Sequence, residues 1–258
     1  MEKRIVRLSI AVFLLGSQLM LASCGKDDLT EPATVTCQLE TLSPTAMEGQ
    51  LVIDRLDLNL SEIDISGRRT NENDMFFTRK LTSTTGRFEL LGTETPSVIL
   101  QIPQGSYQTL VFYLTLREEE YEFEYGSNDG EDDETGDLTE YIAKAKPGLL
   151  LVGRYTKGAV TFPVIVSLND DIRRVAAEAL QNGTPDVVLQ KDVPVDAVCS
   201  IDPEYLFMSI TSSMLESAIT FPMGDEDAVV ISEEYNENIY NQLAGRMQGA
   251  VALIIEDQ

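Results

Sequence analysis

Within residues 109–116, Leu110, Phe112, Leu114 and Leu116 fall on one parity, and Thr109, Val111, Tyr113 and Thr115 on the other. A period of two belongs to an extended strand with one face buried. It also fixes register, because a slip of one residue would turn the whole leucine-rich set to water. The pattern recurs earlier. Leu56, Leu58 and Leu60 share a parity opposite Asp57, Asn59 and Ser61, and Ile63 and Ile65 then switch sides. A bulge or bend at Ser61-Glu62 produces that switch. Segments 87–91 and 98–102 read as short strands, the second ended by Pro103-Gln104-Gly105. Segments 149–156 and 159–168 flank Lys157-Gly158 and read as a hairpin. Pro163 in the return strand predicts an edge position or a bulge. Further strands are predicted at 187–191, 195–201, 227–231 and 249–256.

Three amphipathic helices are predicted in the second half. In 170–181, Ile172, Val175, Ala176, Ala179 and Leu180 follow helical spacing, with Asn169 as N-cap and Gly183 as stop. In 203–218, Asp202 caps and Pro203 takes the first helical position. In 233–247, Ser232 caps and Tyr235, Ile239, Leu243 and Met247 run at steps of four. A shorter helical pattern at 138–145 (Leu138, Tyr141, Ile142, Ala145) stops at Pro147-Gly148. The expected fold is therefore mainly β, an antiparallel β-sandwich with about three amphipathic helices in the second half. One domain is expected over 46–258, with 126–147 as an alternative internal boundary. Residues 24–45 read as a tether, with a first strand at 35–39.

Composition narrows the chemistry. Lys and Arg number 19 against 43 Asp and Glu, a net charge of −24. Residues 1–23 hold three basic and one acidic residue, so the remainder carries 16 against 42, or −26. Such a field repels nucleic acid and anionic surfaces, and no nucleic-acid partner is expected. Apolar residues at 43% support a packed core rather than disorder. The absence of histidine removes Ser-His-Asp and Cys-His nucleophile pairs and every His-containing zinc site, and there is no tryptophan either. No phosphate loop, dinucleotide fingerprint or nucleophile elbow is present.

The N-terminus carries an address. Lys3, Arg4 and Arg7 precede a mostly apolar run over 8–22, shorter than the roughly 20 residues that span a bilayer. Leu21-Ala22-Ser23-Cys24 follows. This resembles the lipobox of bacterial lipoproteins, which implies a signal peptide over 1–23, cleavage between Ser23 and Cys24, and lipidation of Cys24. Lys26-Asp27-Asp28 resembles the export tag of lipoproteins that Bacteroidetes-type bacteria send to the outer face of the outer membrane. Stable anchoring takes two or more acyl chains, which a modified Cys24 supplies. The implied location is the outer membrane, lipid-anchored and facing the cell exterior.

Three groups of residues bear on binding. The acidic stretch 128–137 (Asn128, Asp129, Glu131, Asp132, Asp133, Asp137) is the one dense set of oxygen ligands and the candidate for calcium, though without EF-hand spacing. The other reading is a solvated charged loop, and no other cofactor is expected. Tyr121, Phe123 and Tyr125 alternate with Glu120, Glu122 and Glu124, either as a core-facing strand or as a stacking platform for sugar rings. Cys37 and Cys199 each lie on the apolar parity of a predicted strand, either as two buried thiols or as one bridge.

The run Leu100-Gln101-Ile102-Pro103-Gln104-Gly105-Ser106-Tyr107, and Gly153-Arg154-Tyr155-Thr156 further on, resemble strand-turn-strand units of β-sandwich lipoproteins of gut Bacteroidetes. These include the transthyretin-like modules of fimbrillin-type pilus proteins. The resemblance implies a processing site after a basic residue, and Arg55 lies near such a place. The function expected is non-catalytic, a surface binding or adhesion lipoprotein with a glycan or surface-protein partner. The alternatives are an accessory or anchor subunit of a fimbria-like assembly, and a glycan hydrolase working through two carboxylates.

Overall fold

The computed structural model describes residues 31–70, 73–117, 146–169, 174–223 and 226–256. It is mainly β, 58% strand and 13% helix, and its sheet is mixed and not closed. The alternation at 109–116 lies in β7 (Gly105–Leu116), where Leu110, Phe112, Leu114 and Leu116 are all buried. Gly105 starts that strand at φ 149°, a region that favours glycine.

The organising strand is β3 (Leu51–Arg69). Its first half pairs with β8 (Leu149–Lys157) and its second half with β7. Register shifts between Leu60 and Glu62, where the change of parity predicted a bulge. Leu56, Leu58 and Leu60 before it and Ile63 and Ile65 after it therefore all reach the core. Gly86 closes on this bulge. Its carbonyl accepts from Leu60 N at 2.7 Å, and a Cβ at Gly86 would run into the Leu60 carbonyl oxygen. The next strand, β5 (Arg87–Glu89), pairs with Asp57, Leu58 and Asn59 of β3, just before the bulge.

On one side of β3 the sheet runs through β8 to β9 (Val160–Leu168), β14 (Glu226–Ile231) and β13 (Thr220–Met223). The β8–β9 hairpin turns at Gly158, as expected. Only Val164, Ile165 and Val166 of β9 pair with β14, so Pro163 sits where no second ladder needs its missing N–H. On the other side, β7 leads to β10 (Val175–Gln181), β15 (Val251–Ile255), β12 (Val195–Ile201), β1 (Pro32–Thr41) and β6 (Ser97–Pro103). Four strands lie off this path among the described residues: β2 (Thr45–Ala46), β4 (Met75–Lys80) and β5 pair with β3, and β11 (Val187–Leu189) pairs with β7.

A single apolar cluster takes residues from both limbs, from Val35 and Leu100 on β1 and β6 to Val229 and Ile231 on β14. The helix α3 (Glu237–Ala250) adds Ile239, Leu243 and Met247 to it and touches β9, β14, β10 and β15. Each such side chain contributes about 1.5–3 kcal/mol on burial. A second, smaller cluster covers the opposite face of β8, β9, β13 and β14, built from Leu150, Val152, Ile165, Met223, Ala228 and Val230. Strands buried on both faces carry continuous apolar runs, which explains Leu149–Val152 and Val164–Val166.

Several expectations change. Of the helix predicted at 170–181, the described residues from Val175 on form strand β10, with Val175, Ala177 and Ala179 buried in alternation. The sheet is mixed rather than antiparallel, since β1–β12, β10–β15 and β14–β9 are parallel. β1 spans Pro32–Thr41, so the strand expected at 35–39 is five residues longer, and this part of the expected tether lies in the sheet. The single helix over 203–218 is two, α1 (Pro203–Phe207) and α2 (Ser212–Glu216), broken where Thr211 opens a new cap. Asp202 does cap α1, accepting from Tyr205 N. Ser232 does not cap α3; its hydroxyl accepts from Tyr235 N, and Asn236 in the left-handed region precedes the helix.

Candidate functional site

β4, β3, β7 and the start of β10 lie side by side, and their inward residues seal the core. Their outward residues line up across the sheet. Asp64 on β3 stands opposite Thr78 on β4 and Tyr113 on β7, and Tyr113 stands opposite Ala176 on β10. One step along, Ser66 stands between Phe76 and Val111. Arg174 comes two residues ahead of Ala176 and therefore on the same parity.

These side chains make a groove of about 370 Å³ lined by Asp64, Ile65, Ser66, Phe76, Phe77, Thr78, Tyr113 and Arg174. The Arg174 guanidinium lies 3.0 Å from Asp64 Oδ2, and its Cζ sits 3.9 Å from the Tyr113 ring centroid. Thr78 Oγ1 donates to Asp64 Oδ1. A cation held by both a carboxylate and a ring face has fewer conformers to lose when a ligand arrives. Phe76 is 76% exposed beside this polar set. A bare aromatic face next to fixed donors and acceptors suits binding.

Two other polar clusters have structural roles. Asp57 on β3 is 1% exposed and takes both Nε (3.0 Å) and Nη2 (2.6 Å) of Arg55 on its Oδ2, with Arg87 at 3.7 Å. Its Oδ1 is buried and makes no hydrogen bond among the described residues. The Tyr155 hydroxyl donates to Glu216 at 2.9 Å, tying α2 to β8, and Ser212 donates to Gln50 at 2.9 Å. Burial pushes the Tyr155 phenol up, and Glu216 adds to the shift while the Ser212 hydrogen bond opposes it.

The sequence candidates fare differently. Ser23, Cys24, Lys26, Asp27, Asp28, the acidic stretch 128–137, the aromatics Tyr121, Phe123 and Tyr125, and the helical pattern at 138–145 lie outside the described residues. Among the described residues no group of three or more Cys, Asp or Glu is arranged to hold a metal ion. Cys37 and Cys199 are both buried free thiols. They lie on neighbouring parallel strands, with Cys37 opposite Ala197 and Cys199 opposite Leu39, two residues out of step. Arg55, the basic residue near the implied processing site, is inside β3 with its guanidinium on Asp57.

Sequence reasoning missed the groove. The signal available was Tyr113 and Val111 on the polar parity of the clearest strand, facing away from the leucines. Phe76 and Thr78 gave none, because Met75–Lys80 has no alternation to mark it as a strand. In comparisons with protein-family models, curated proteins and solved structures, nothing matches this chain.

Proposed function

We propose that this chain is a lipid-anchored outer-membrane protein, held by Cys24 and facing the cell exterior, with a non-catalytic binding or adhesion role. The observation that carries the binding role is the groove, where Phe76 lies exposed beside the ion-paired Arg174 and Asp64. The lipobox and the Lys26-Asp27-Asp28 tag support the address. The body is read as two layers of one sheet folded over a shared core, supported by the single cluster that joins Val35 and Leu100 to Val229 and Ile231. The fimbrial alternative draws less support. Cleavage after Arg55 would cut β3 within its pairing with β8, which continues to Leu58.

The test is a binding screen with the mature lipidated chain in detergent against immobilised glycans and cell-surface proteins, with product release followed in parallel. Saturable binding without turnover is the expected result. Product release that is lost on replacing two particular carboxylates would overturn it.

A further inference from the structure

We infer that the groove takes a ring of a neutral saccharide, a reading that rests on the binding role proposed above. Size argues first. A volume of about 370 Å³ suits a small ligand. A stable protein partner needs roughly 800 Å² of contact on each side, far more than this groove offers.

Charge argues second. Arg174 and Asp64 are 3.0 Å apart and cancel one another. An anion would have to part them and approach a chain of net charge −24. A cation would meet the Arg174 guanidinium. A neutral ligand meets neither obstacle.

Side-chain chemistry argues third. A saccharide ring presents hydroxyls at its edge and C–H groups on its face. At the edge, Arg174 donates, Asp64 has acceptor capacity beyond the bonds it already makes, the Ser66 hydroxyl does either, and Thr78 Oγ1, whose proton goes to Asp64, accepts. For the face, Phe76 is 76% exposed and offers an apolar plane of matching size. The polar groups are already ordered, because Arg174 is held against both Tyr113 and Asp64.

The experiment is an array of neutral and acidic oligosaccharides probed with the mature lipidated chain in detergent, alongside a panel of cell-surface proteins. The expected result is saturable binding to one or more neutral oligosaccharides. Phe76→Ala weakens it about tenfold, Phe76→Tyr retains it, and Asp64→Asn weakens it by a similar factor. Unchanged melting temperatures show that the variants are folded. Binding to acidic oligosaccharides alone overturns the inference. So does neutral-sugar binding that Phe76→Ala and Asp64→Asn leave intact. Capture of a surface protein with no neutral sugar bound overturns the saccharide while leaving the binding role standing. No binding in either panel removes both.

Discussion

Replacing Asp57 with asparagine keeps the side-chain volume and removes one charge from the buried cluster at the middle of β3. The carboxylate side chain is 2% exposed, while those of Arg55 and Arg87 are 28% and 44% exposed. Breaking a fully buried ion pair costs about 3–5 kcal/mol, and an exposed pair is worth about 0.2–1 kcal/mol. Here the anion is buried and its cations reach water, so the loss lies between these limits, about 2 kcal/mol. Arg87, at 3.7 Å and nearly half exposed, supplies little of it. Arg55 supplies most, through two contacts on Oδ2. Urea unfolding of a chain lacking residues 1–24 measures the loss by linear extrapolation. A cycle with Arg55→Gln separates this pair from the other contacts of Arg55, and a coupling of about 1–2 kcal/mol is expected. Additivity within about 0.5 kcal/mol, or an Asp57→Asn loss below that size, would refute the reasoning.

Burial pushes the Cys37 thiol from an ordinary 9.0 up to about 12, and it pushes Cys199 up as well. Both should resist alkylation at pH 8 until the chain unfolds, and rapid labelling of the native state would count against their burial. Because the folded state holds these protons more tightly, the stability they contribute is present below pH 9 and is lost as pH rises towards 12. Ala177→Glu puts a charge among buried residues of β10 and should cost more than about 3 kcal/mol, whereas Ala176→Glu on the outer face should cost under about 1 kcal/mol. A helix over the same residues would reverse that order, so denaturant midpoints decide it. Gly86→Ala drives a methyl into the Leu60 carbonyl and should lower stability by about 1–3 kcal/mol, whereas an unchanged midpoint would show that the bulge yields freely.

The legible parts of the fold were those where one face meets water. β7 and the second half of β3 announced themselves because Leu and Ile alternate with polar residues. The bulge at Leu60–Glu62 was readable for the same reason, as a change of parity. β10 misled because Val-Ala-Ala-Glu-Ala-Leu-Gln satisfies both periods. Alanine favours helix locally, and the ladders to β7 and β15 override that preference. The parallel pairings were invisible, since nothing local joins Val35 to Val195. The groove was illegible for a related reason. Thr78, Asp64, Tyr113 and Arg174 come from four segments and meet only through the register of β4, β3, β7 and β10.

The central claim is that this body stands outside the cell on a lipid at Cys24. Antibody labelling of intact cells, compared with permeabilised cells, tests it most directly, with the native chain beside a variant whose Lys26, Asp27 and Asp28 are replaced by alanine. The account predicts full labelling of the native chain on intact cells and labelling of the variant only after permeabilisation. A native chain that needs permeabilisation to be labelled would contradict it.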